Sequence, residues 1–220
     1  DGDAVFDAEQ NARIVVEAER YYRIMYYGGA AAWNLRDQHM FDTLDRLLEH
    51  HGEGARAVIW AHNSHVGDAR ATDMGRVRGE HNIGQLIREH YASDAALVGF
   101  ATGTGEVAAA DDWGGRMQVK SVRPALPESI ERDAADTGLP RFLLDIAALD
   151  DEARGLIEAP ALQRAIGVVY RPETERWSHY FESRLASQYD AWVWYAHTGA
   201  VHAGGAAPAA GEAELFPFGL

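Results

Sequence analysis

The sequence predicts an α/β protein: a three-layer α/β/α arrangement around a mainly parallel sheet, with an N-terminal helical hairpin and a small β-hairpin excursion. Two observations favour this class. The first 54 residues carry apolar side chains at steps of three and four, which is the spacing of amphipathic helices. After them, short continuous apolar runs alternate with helical segments, which is typical of strands that are buried on both faces of a parallel sheet.

Two helices are predicted in the N-terminal segment. The first covers residues 8–27 and ends at Gly28 and Gly29. Its apolar stripe consists of Ile14, Ala18, Tyr21, Tyr22 and Met25. The second covers residues 35–50, with Asn34 as the N-cap and Asp37 in the first turn. The short connection between them predicts a helical hairpin.

Five apolar runs downstream predict strands. They are residues 57–61, 95–100, 142–144, 165–170 and 191–195. Between them, three segments predict helices: residues 82–91, 128–137 and 150–159. The first of these begins with Asn82 and has Gln85 three positions later, which is the spacing of a capping box.

One segment interrupts this alternation. Two short runs flank the glycine-containing loop 111–115, which predicts a β-hairpin inserted near residues 102–124. From residue 202 onward the chain is rich in Ala, Gly and Pro, which predicts a disordered tail over 202–220. The expected organisation is therefore a helical segment at 1–54, a sheet domain at 55–201 and this tail.

Charge and composition exclude several classes of protein. The 220 residues contain 20 Lys and Arg against 34 Asp and Glu, for a net charge of −14. This balance argues against a nucleic-acid or anionic-membrane partner, since both require clustered basic residues. No apolar run is long enough to cross a membrane, and the absence of cysteine excludes disulfides and thiolate sites. The first residues, Asp-Gly-Asp-Ala, lack both an initiator Met and a signal peptide, which indicates a processed chain or a fragment.

The strongest candidate site follows the run at 57–61. His62 and His65 come directly after it with Asn63 between them, and ligands of open α/β sheets bind beyond the carboxyl ends of strands. Imidazoles at such a position can transfer protons near neutral pH, and the Asn63 amide can orient a ring. The alternative is a pair of ordinary loop histidines that hydrogen-bond to backbone groups.

Three further segments carry candidate supporting residues. Arg36 would hold a polar or anionic substrate group and Asp37 would reach the same cleft, or both would only cap a helix and form a surface ion pair. Glu80 would orient one of the loop histidines, or would only favour the helix dipole. His179 follows the run at 165–170 and would face the same edge of the sheet.

Several blocks occur in a fixed order along the chain. The most specific are Trp-Asn-Leu-Arg-Asp at 33–37 and Trp-Ala-His-Asn-Ser-His at 60–65. Others include Ala-Glu-Gln-Asn-Ala at 8–12, Val-Arg-Pro-Ala-Leu-Pro at 122–127, Ile-Gly-Val-Val-Tyr-Arg-Pro-Glu-Thr-Glu at 166–175 and His-Tyr-Phe at 179–181. Taken together, these blocks resemble the erythromycin esterase family over about residues 6–201.

The resemblance implies a hydrolase of the carboxylic-ester type, in which imidazoles and carboxylates activate water without a cofactor or a metal. The substrates implied are small-molecule esters or lactones, macrolides in the named members, with macrolide resistance as the response to the antibiotic. His62 and His65 match the two histidines of the second catalytic block. The family's earlier block, with a Glu and the His assigned as general base, has no counterpart here, so the chain resembles the C-terminal half of the family.

We therefore expect a cytoplasmic hydrolase half that works with a missing N-terminal half and is slow or inactive alone. The alternative from another class is a non-catalytic α/β module that binds a small molecule. A metal-dependent hydrolase with His62 and His65 as ligands is a weaker alternative, because two histidines do not complete a tetrahedral site.

Overall fold

The computed structural model describes residues 2–202, and these form two compact units. The first unit comprises Asp1–Gly99, Asp145–Pro160 and Glu182–Trp192, and the second comprises Phe100–Leu144, Ala161–Phe181 and Val193–Leu220. The predicted tail at 202–220 lies, beyond residue 202, outside the described residues. The predicted boundaries at 54 and 201 stay predictions.

The predicted helical hairpin opens the first unit. Helix α1 covers Gly2–Met25 and helix α2 covers Ala30–His51, with the positive-φ glycines Gly28 and Gly29 between them. The helices run antiparallel, because Phe6 of α1 stacks on His50 of α2 at 4.1 Å between ring centroids. The hairpin predicted from the sequence is confirmed.

The predicted start of α2 is wrong by about a turn. The helix begins at Ala30 after Gly29, since three consecutive alanines have high helix propensity and extend the helix upstream. Asn34 is therefore inside α2, where its amide bonds the Gly79 carbonyl and the His81 N–H instead of capping the helix. Arg36 and Asp37 consequently lie in the second turn, away from the free N–H groups of the helix start.

The rest of the first unit consists of short helices, most with a side-chain N-cap. They are α3 (Asn63–Val66), α4 (Asp73–Arg78), α5 (Ile83–Tyr91), α7 (Asp151–Glu158) and α9 (Leu185–Gln188). The capping prediction for α5 is confirmed, because Asn82 Oδ1 accepts the Gln85 N–H at 2.9 Å. The helix predicted at 150–159 is likewise present as α7, with Asp150 as its cap.

The strand predicted at residues 57–61 is wrong. The segment has no regular structure, and Val58 and Trp60 are 93% and 85% exposed. An apolar run favours burial of its side chains, but a strand forms only where a neighbouring strand pairs with its backbone. Within residues 2–202 no strand pairs with this run, so the two histidines do not follow a central strand as predicted.

A four-stranded sheet is the main feature of the second unit. Its strands are β1 (Val98–Ala109), β2 (Gln118–Val122), β3 (Arg141–Asp145) and β6 (Ala191–Thr198), in the order β2-β1-β6-β3. The predicted hairpin is formed by β1 and β2, in a register from Gly105 opposite Val122 to Ala109 opposite Gln118. The runs predicted at 95–100, 142–144 and 191–195 all fall in or beside these strands.

The α/β class is confirmed, but the predicted mainly parallel pairing is wrong for this sheet. Strands β1 and β2 are antiparallel, and the sheet has one parallel pair. That pair is β1 and β6, where Gly103 faces the Ala196 carbonyl and Gly105 faces that of Thr198. A continuous apolar run indicates burial on two faces and is compatible with either strand direction. Hydropathy alone therefore does not decide whether paired strands are parallel or antiparallel.

Smaller elements complete the second unit: helix α6 (Ile130–Asp136), helix α8 (Glu175–Ser178) and a two-stranded sheet of β4 (Ala161–Arg164) and β5 (Tyr180–Ser183). Helix α6 was predicted at 128–137. The strand predicted at 165–170 is wrong, since β4 ends at Arg164 and the following residues make a single bridge at Val169. Val168 is 62% exposed there, so the apolar run is only partly buried.

Candidate active site

A buried carboxylate and an imidazole form the centre of the site in the first unit. His65 Nδ1 lies 2.9 Å and 3.0 Å from the two carboxylate oxygens of Asp37. Asp37 is 0% exposed, and the side chain of His65 is 17% exposed. Because a carboxylate is only an acceptor, Nδ1 donates to it, and Nε2 is left as the acceptor of the ring. Asp37 thus lies in direct contact with one of the two loop histidines, and its role in a site stays a prediction.

Helix α5 supplies the second partner of this carboxylate. The backbone N–H of Ile83, the first residue of α5, donates to Asp37 Oδ2 at 3.0 Å. A helix N-terminus favours a negative charge, so the position suits the buried carboxylate. Glu80 was predicted to orient one of the loop histidines, whereas the carboxylate that hydrogen-bonds to His65 is that of Asp37.

The segment with His65 is held against the start of α5 by Asn82. The Asn82 amide donates to the carbonyls of Ser64 and Gly67 at 2.8 Å and 2.7 Å. Gly84 permits this close approach, since a Cβ at that position would lie 2.4 Å from the Val66 carbonyl oxygen. The position of His65 therefore depends on the Asn82 amide and on the absence of a side chain at Gly84.

An aromatic ring covers the imidazole of His65. The Trp33 indole stacks on it with the ring centroids 4.7 Å apart and an interplanar angle of 7°. The indole N–H donates to the His81 carbonyl at 2.8 Å, and the guanidinium of Arg36 lies 5.5 Å from the ring centroid of Trp33. Trp33 was not among the predicted site residues, although its spacing of four from Asp37 places both on one face of α2.

His62 and Asn63 occupy the start of α3. His62 is exposed and is the N-cap of this helix, with Nδ1 accepting the Ser64 N–H at 3.2 Å and lying 2.9 Å from Ser64 Oγ. Asn63 is the first residue of α3, and its carbonyl accepts the Gly67 N–H at 3.1 Å. The structure thus brings His65 to Asp37, and it uses His62 to cap the helix that carries His65.

Glu80 lines a cavity of about 330 Å³ in the first unit. The other lining residues are Arg70, Gly75, Arg76, Gly79, His81 and Gln85. Burial raises the pKa of the Glu80 carboxyl, while the charge of Arg78 opposes the rise and that of Asp73 adds to it. His81 connects the cavity to the indole of Trp33, because its carbonyl accepts the indole N–H.

His179 lies in the second unit, with both ring nitrogens near backbone groups. Its Nε2 accepts the Arg171 N–H at 2.9 Å, and its Nδ1 lies 3.3 Å from the Ala165 carbonyl oxygen. Burial lowers the pKa of this imidazole. These contacts are those of a histidine that holds a turn of the chain.

A buried polar network lies near His179 in the second unit. The guanidinium of Arg164 donates to Glu175 Oε1 at 3.2 Å and to the carbonyls of Thr102 and Gly103 at 2.6 Å and 2.7 Å. The backbone N–H of Arg164 donates to Glu131 Oε1 at 3.0 Å. Burial raises the pKa of Glu131 to about 7, although its hydrogen bonds and the charge of Arg164 oppose the rise.

Within residues 2–202, no three His, Asp or Glu side chains lie together in a way that could hold a metal ion. No helix in this part of the chain has the length and apolar character needed to span a bilayer.

Solved structures of other proteins share this fold. A Bacillus cereus protein superposes with a TM-score of 0.72 at 17% identity, over 86% of this chain and 44% of its own. A succinoglycan biosynthesis protein superposes with a TM-score of 0.63 at 20% identity, over 77% of this chain and 40% of its own. A mutant of the erythromycin esterase EreC in its open conformation is 19% identical over 80% of this chain, with a TM-score of 0.47.

The chain spans less than half the length of each of these structures, with 44%, 40% and 40% of their residues covered. At the level of sequence, the family model described as erythromycin esterase matches residues 1–198, which is nearly all of the described chain. The chain therefore belongs to the erythromycin esterase family.

Proposed function

We propose that the chain provides part of the catalytic site of an ester or lactone hydrolase, in which His65 transfers protons and Asp37 holds its ring. The observation that carries this proposal is the Asp37–His65 pair, with a distance of 2.9 Å from Nδ1 to the nearer oxygen of a fully buried carboxylate. Membership of the erythromycin esterase family supports the reaction class.

The pair fits general acid–base chemistry on a water molecule. With the Nδ1 proton donated to Asp37, Nε2 can accept a proton from water as the water oxygen adds to the ester carbonyl. The same nitrogen can then return the proton to the leaving alkoxide. The Asp37 carboxylate stabilises the imidazolium that exists between these two steps and keeps the ring in one tautomer.

The other predicted residues take supporting roles in this proposal. His62 matches the family's other catalytic histidine, and its exposed ring would polarise or position the substrate beside His65, with Asn63 next to it. Arg36 has an exposed guanidinium near Trp33, where it would pair with a polar or anionic group of the substrate.

Glu80 and His179 stay predicted supporting residues. Glu80 lines the cavity in the first unit, where its carboxyl would meet a polar part of a bound molecule. His179 belongs to the second unit, and its backbone hydrogen bonds favour a structural role.

By resemblance, the substrates are macrolide lactones, whose hydrolysis would give resistance to the antibiotic. The same resemblance assigns the family's general base to an N-terminal block that this chain lacks, whereas our proposal gives the proton transfer to His65 of this chain. The full reaction would still need that block, or a partner that supplies it, for the remaining catalytic groups. The cytoplasmic location expected from the sequence stays a prediction.

The proposal is tested by replacing the pair in the family-length protein. We expect His65→Gln and Asp37→Asn each to lower kcat for ester or lactone hydrolysis by about a hundredfold or more, the usual contribution of a positioned acid or base. His90→Gln, which changes an exposed histidine at the end of α5, is the matched control and should keep the wild-type rate. Wild-type activity in folded His65→Gln protein would contradict the proposal.

The cavity at Glu80 favours a second candidate function, a module that binds a polar small molecule without converting it. Two arginines, a carboxyl group and an imidazole line a space of about 330 Å³. Calorimetric titration with a lactone, followed by chromatography of the recovered ligand, separates the two functions. Tight binding with unchanged ligand by the family-length protein would favour the binding module.

A further inference from the structure

The stacking of Trp33 on His65 restricts the tilt of the imidazole ring, which the hydrogen bonds to Asp37 leave largely free. The hydrogen bonds from Nδ1 to the carboxylate act at the edge of the imidazole, so they fix that edge but resist tilting of the ring about it only weakly. The indole contacts the face of the imidazole, with the centroids 4.7 Å apart and the planes within 7° of parallel. Contacts at the edge and at the face together define the plane of the ring.

Helix α2 explains why both contacts reach the same ring. Trp33 and Asp37 are separated by four residues within Ala30–His51, so their side chains lie one above the other on a single helix face. One rigid element therefore carries the group that holds the edge and the group that holds the face. His65 of α3 therefore meets two partners that are fixed relative to each other.

The indole is itself held in place. Its N–H donates to the His81 carbonyl at 2.8 Å, and the His81 N–H donates to the Asn34 side chain of the same helix at 2.8 Å. The guanidinium of Arg36 lies 5.5 Å from the indole centroid and 5.9 Å from that of Tyr21. Rotation of the indole would break its hydrogen bond and separate it from this cation.

We propose that Trp33 is a positioning residue, which selects the plane of the His65 imidazole and so the direction in which Nε2 meets the reacting water. This inference rests on the proposed function, because it assigns Trp33 a part in the same hydrolysis. Trp33 acts through His65 and transfers no proton. Its effect is on the geometry of the transition state, where a displacement of about 1 Å can lower the rate about a hundredfold.

The first measurement needs no activity. In the 220-residue chain, an indole stacked on the imidazole shifts the His65 ring protons upfield, and His65→Gln assigns the corresponding NMR signals. We expect Trp33→Leu to remove this upfield shift, Trp33→Phe to retain most of it, and Trp177→Leu, at an exposed tryptophan of the second unit, to leave it unchanged. Wild-type His65 protons at the positions of exposed histidines would overturn the inference.

The second measurement is kinetic and uses the family-length protein. We expect Trp33→Leu to lower kcat by about a hundredfold with KM nearly unchanged, since an interaction that acts on the transition state appears in kcat. Trp33→Phe, which keeps a flat ring, should recover most of that loss. A folded Trp33→Leu protein with wild-type kcat would overturn the inference.

If Trp33→Leu does not fold, Trp33→Phe tests the inference instead. Retention of the upfield shift together with a loss of kcat as large as that of His65→Gln would overturn the inference, because the stack would then be irrelevant to the rate. Absence of hydrolysis in the wild-type family-length protein would overturn the proposed function and with it the catalytic role of Trp33. The NMR result distinguishes that failure from a failure of the stack.

Discussion

At the scale of single residues, the buried carboxyl groups have different surroundings. Asp37 has a ring N–H and the Ile83 backbone N–H as donors, so both of its oxygens have partners. Glu131 has hydrogen-bond donors on Oε1, whereas its buried Oε2 has no hydrogen-bond partner among the described residues. An unpaired buried oxygen disfavours the charged form, which agrees with the raised pKa of Glu131.

Glu131 predicts a pH dependence of stability in the second unit. Its pKa is about 7 in the folded protein against 4.5 for the free group, so the folded state binds the proton more tightly. The stabilisation by this group is complete below about pH 4.5 and is lost as the pH rises toward about 7. At about 1.4 kcal/mol for each pH unit, the loss amounts to about 3 kcal/mol.

Glu131→Gln removes this titration, because the amide is neutral and similar in shape. We expect the variant to match the wild type in free energy of unfolding near pH 5 and to exceed it near pH 8, in urea titrations at both values. Glu128→Gln changes an exposed carboxyl just before α6 and is the control, with no expected change in the pH profile. Parallel pH profiles of the Glu131→Gln variant and the wild type would contradict the assignment.

At the scale of elements, one helix start organises the candidate active site. The first residue of α5 donates to Asp37, and its N-cap Asn82 bonds both the helix and the segment that carries His65. The helix thus connects the two members of the pair, although neither belongs to it. The capping pattern of α5 is evident in the sequence, but its contacts with Ser64 and Gly67 depend on how the chain folds back.

Asn82→Asp separates the capping role from the clamping role. Aspartate keeps an acceptor for the Gln85 N–H but cannot donate to the Ser64 and Gly67 carbonyls. We expect Asn82→Asp to lower the free energy of unfolding by about 1–3 kcal/mol for the buried carbonyls left unpaired, and Asn82→Ala to cost about 1 kcal/mol more for the lost cap. Urea unfolding measures both values.

The cap of α7 provides the comparison. The side chain of Asp150 is exposed and accepts the Ala153 N–H at 2.8 Å, with no second clamped segment beside it among the described residues, so Asp150→Asn should have a smaller effect than Asn82→Asp. Equal and small effects at the two caps would show that the clamp on the His65 segment contributes little to stability.

At the scale of the whole molecule, the chain covers 44% and 40% of the length of two structural relatives and belongs to the erythromycin esterase family. The candidate active site contains a histidine, the carboxylate that holds it and a stacked indole. By resemblance, the family's earlier block would supply a Glu and a further His to the reaction. General acid–base catalysis requires all of these groups within hydrogen-bond reach of one substrate.

We therefore expect the 220-residue chain to hydrolyse esters or lactones slowly or not at all, compared with a family-length protein that includes the N-terminal block. The measurement is the rate of lactone hydrolysis by the two purified proteins at equal concentration. A residual rate in the short chain that disappears in His65→Gln would show that His65 acts as the base without the N-terminal block. Equal rates for the two proteins would contradict the expectation and show that the block supplies no group that the reaction needs.

The sequence alone determined the features that depend on neighbours along the chain. The α1–α2 hairpin, the N-cap Asn82 and the β1–β2 hairpin follow from side-chain periodicity and local hydrogen bonding, which act over a few residues. The order of the motifs was sufficient to indicate the family, and the blocks at 33–37 and 60–65 indicated where a site lies.

Only the tertiary structure decided which residues meet. The run at 57–61 is apolar but pairs with no strand in the described part of the chain, and the directions of the sheet strands depend on partners far away in sequence. The contacts of His65 with Asp37 and Trp33 cross 28 and 32 positions, and the Ile83 N–H reaches Asp37 over 46. Such contacts depend on the packing of α2 and α5 around the segment that carries His65, and no local sequence pattern predicts that packing.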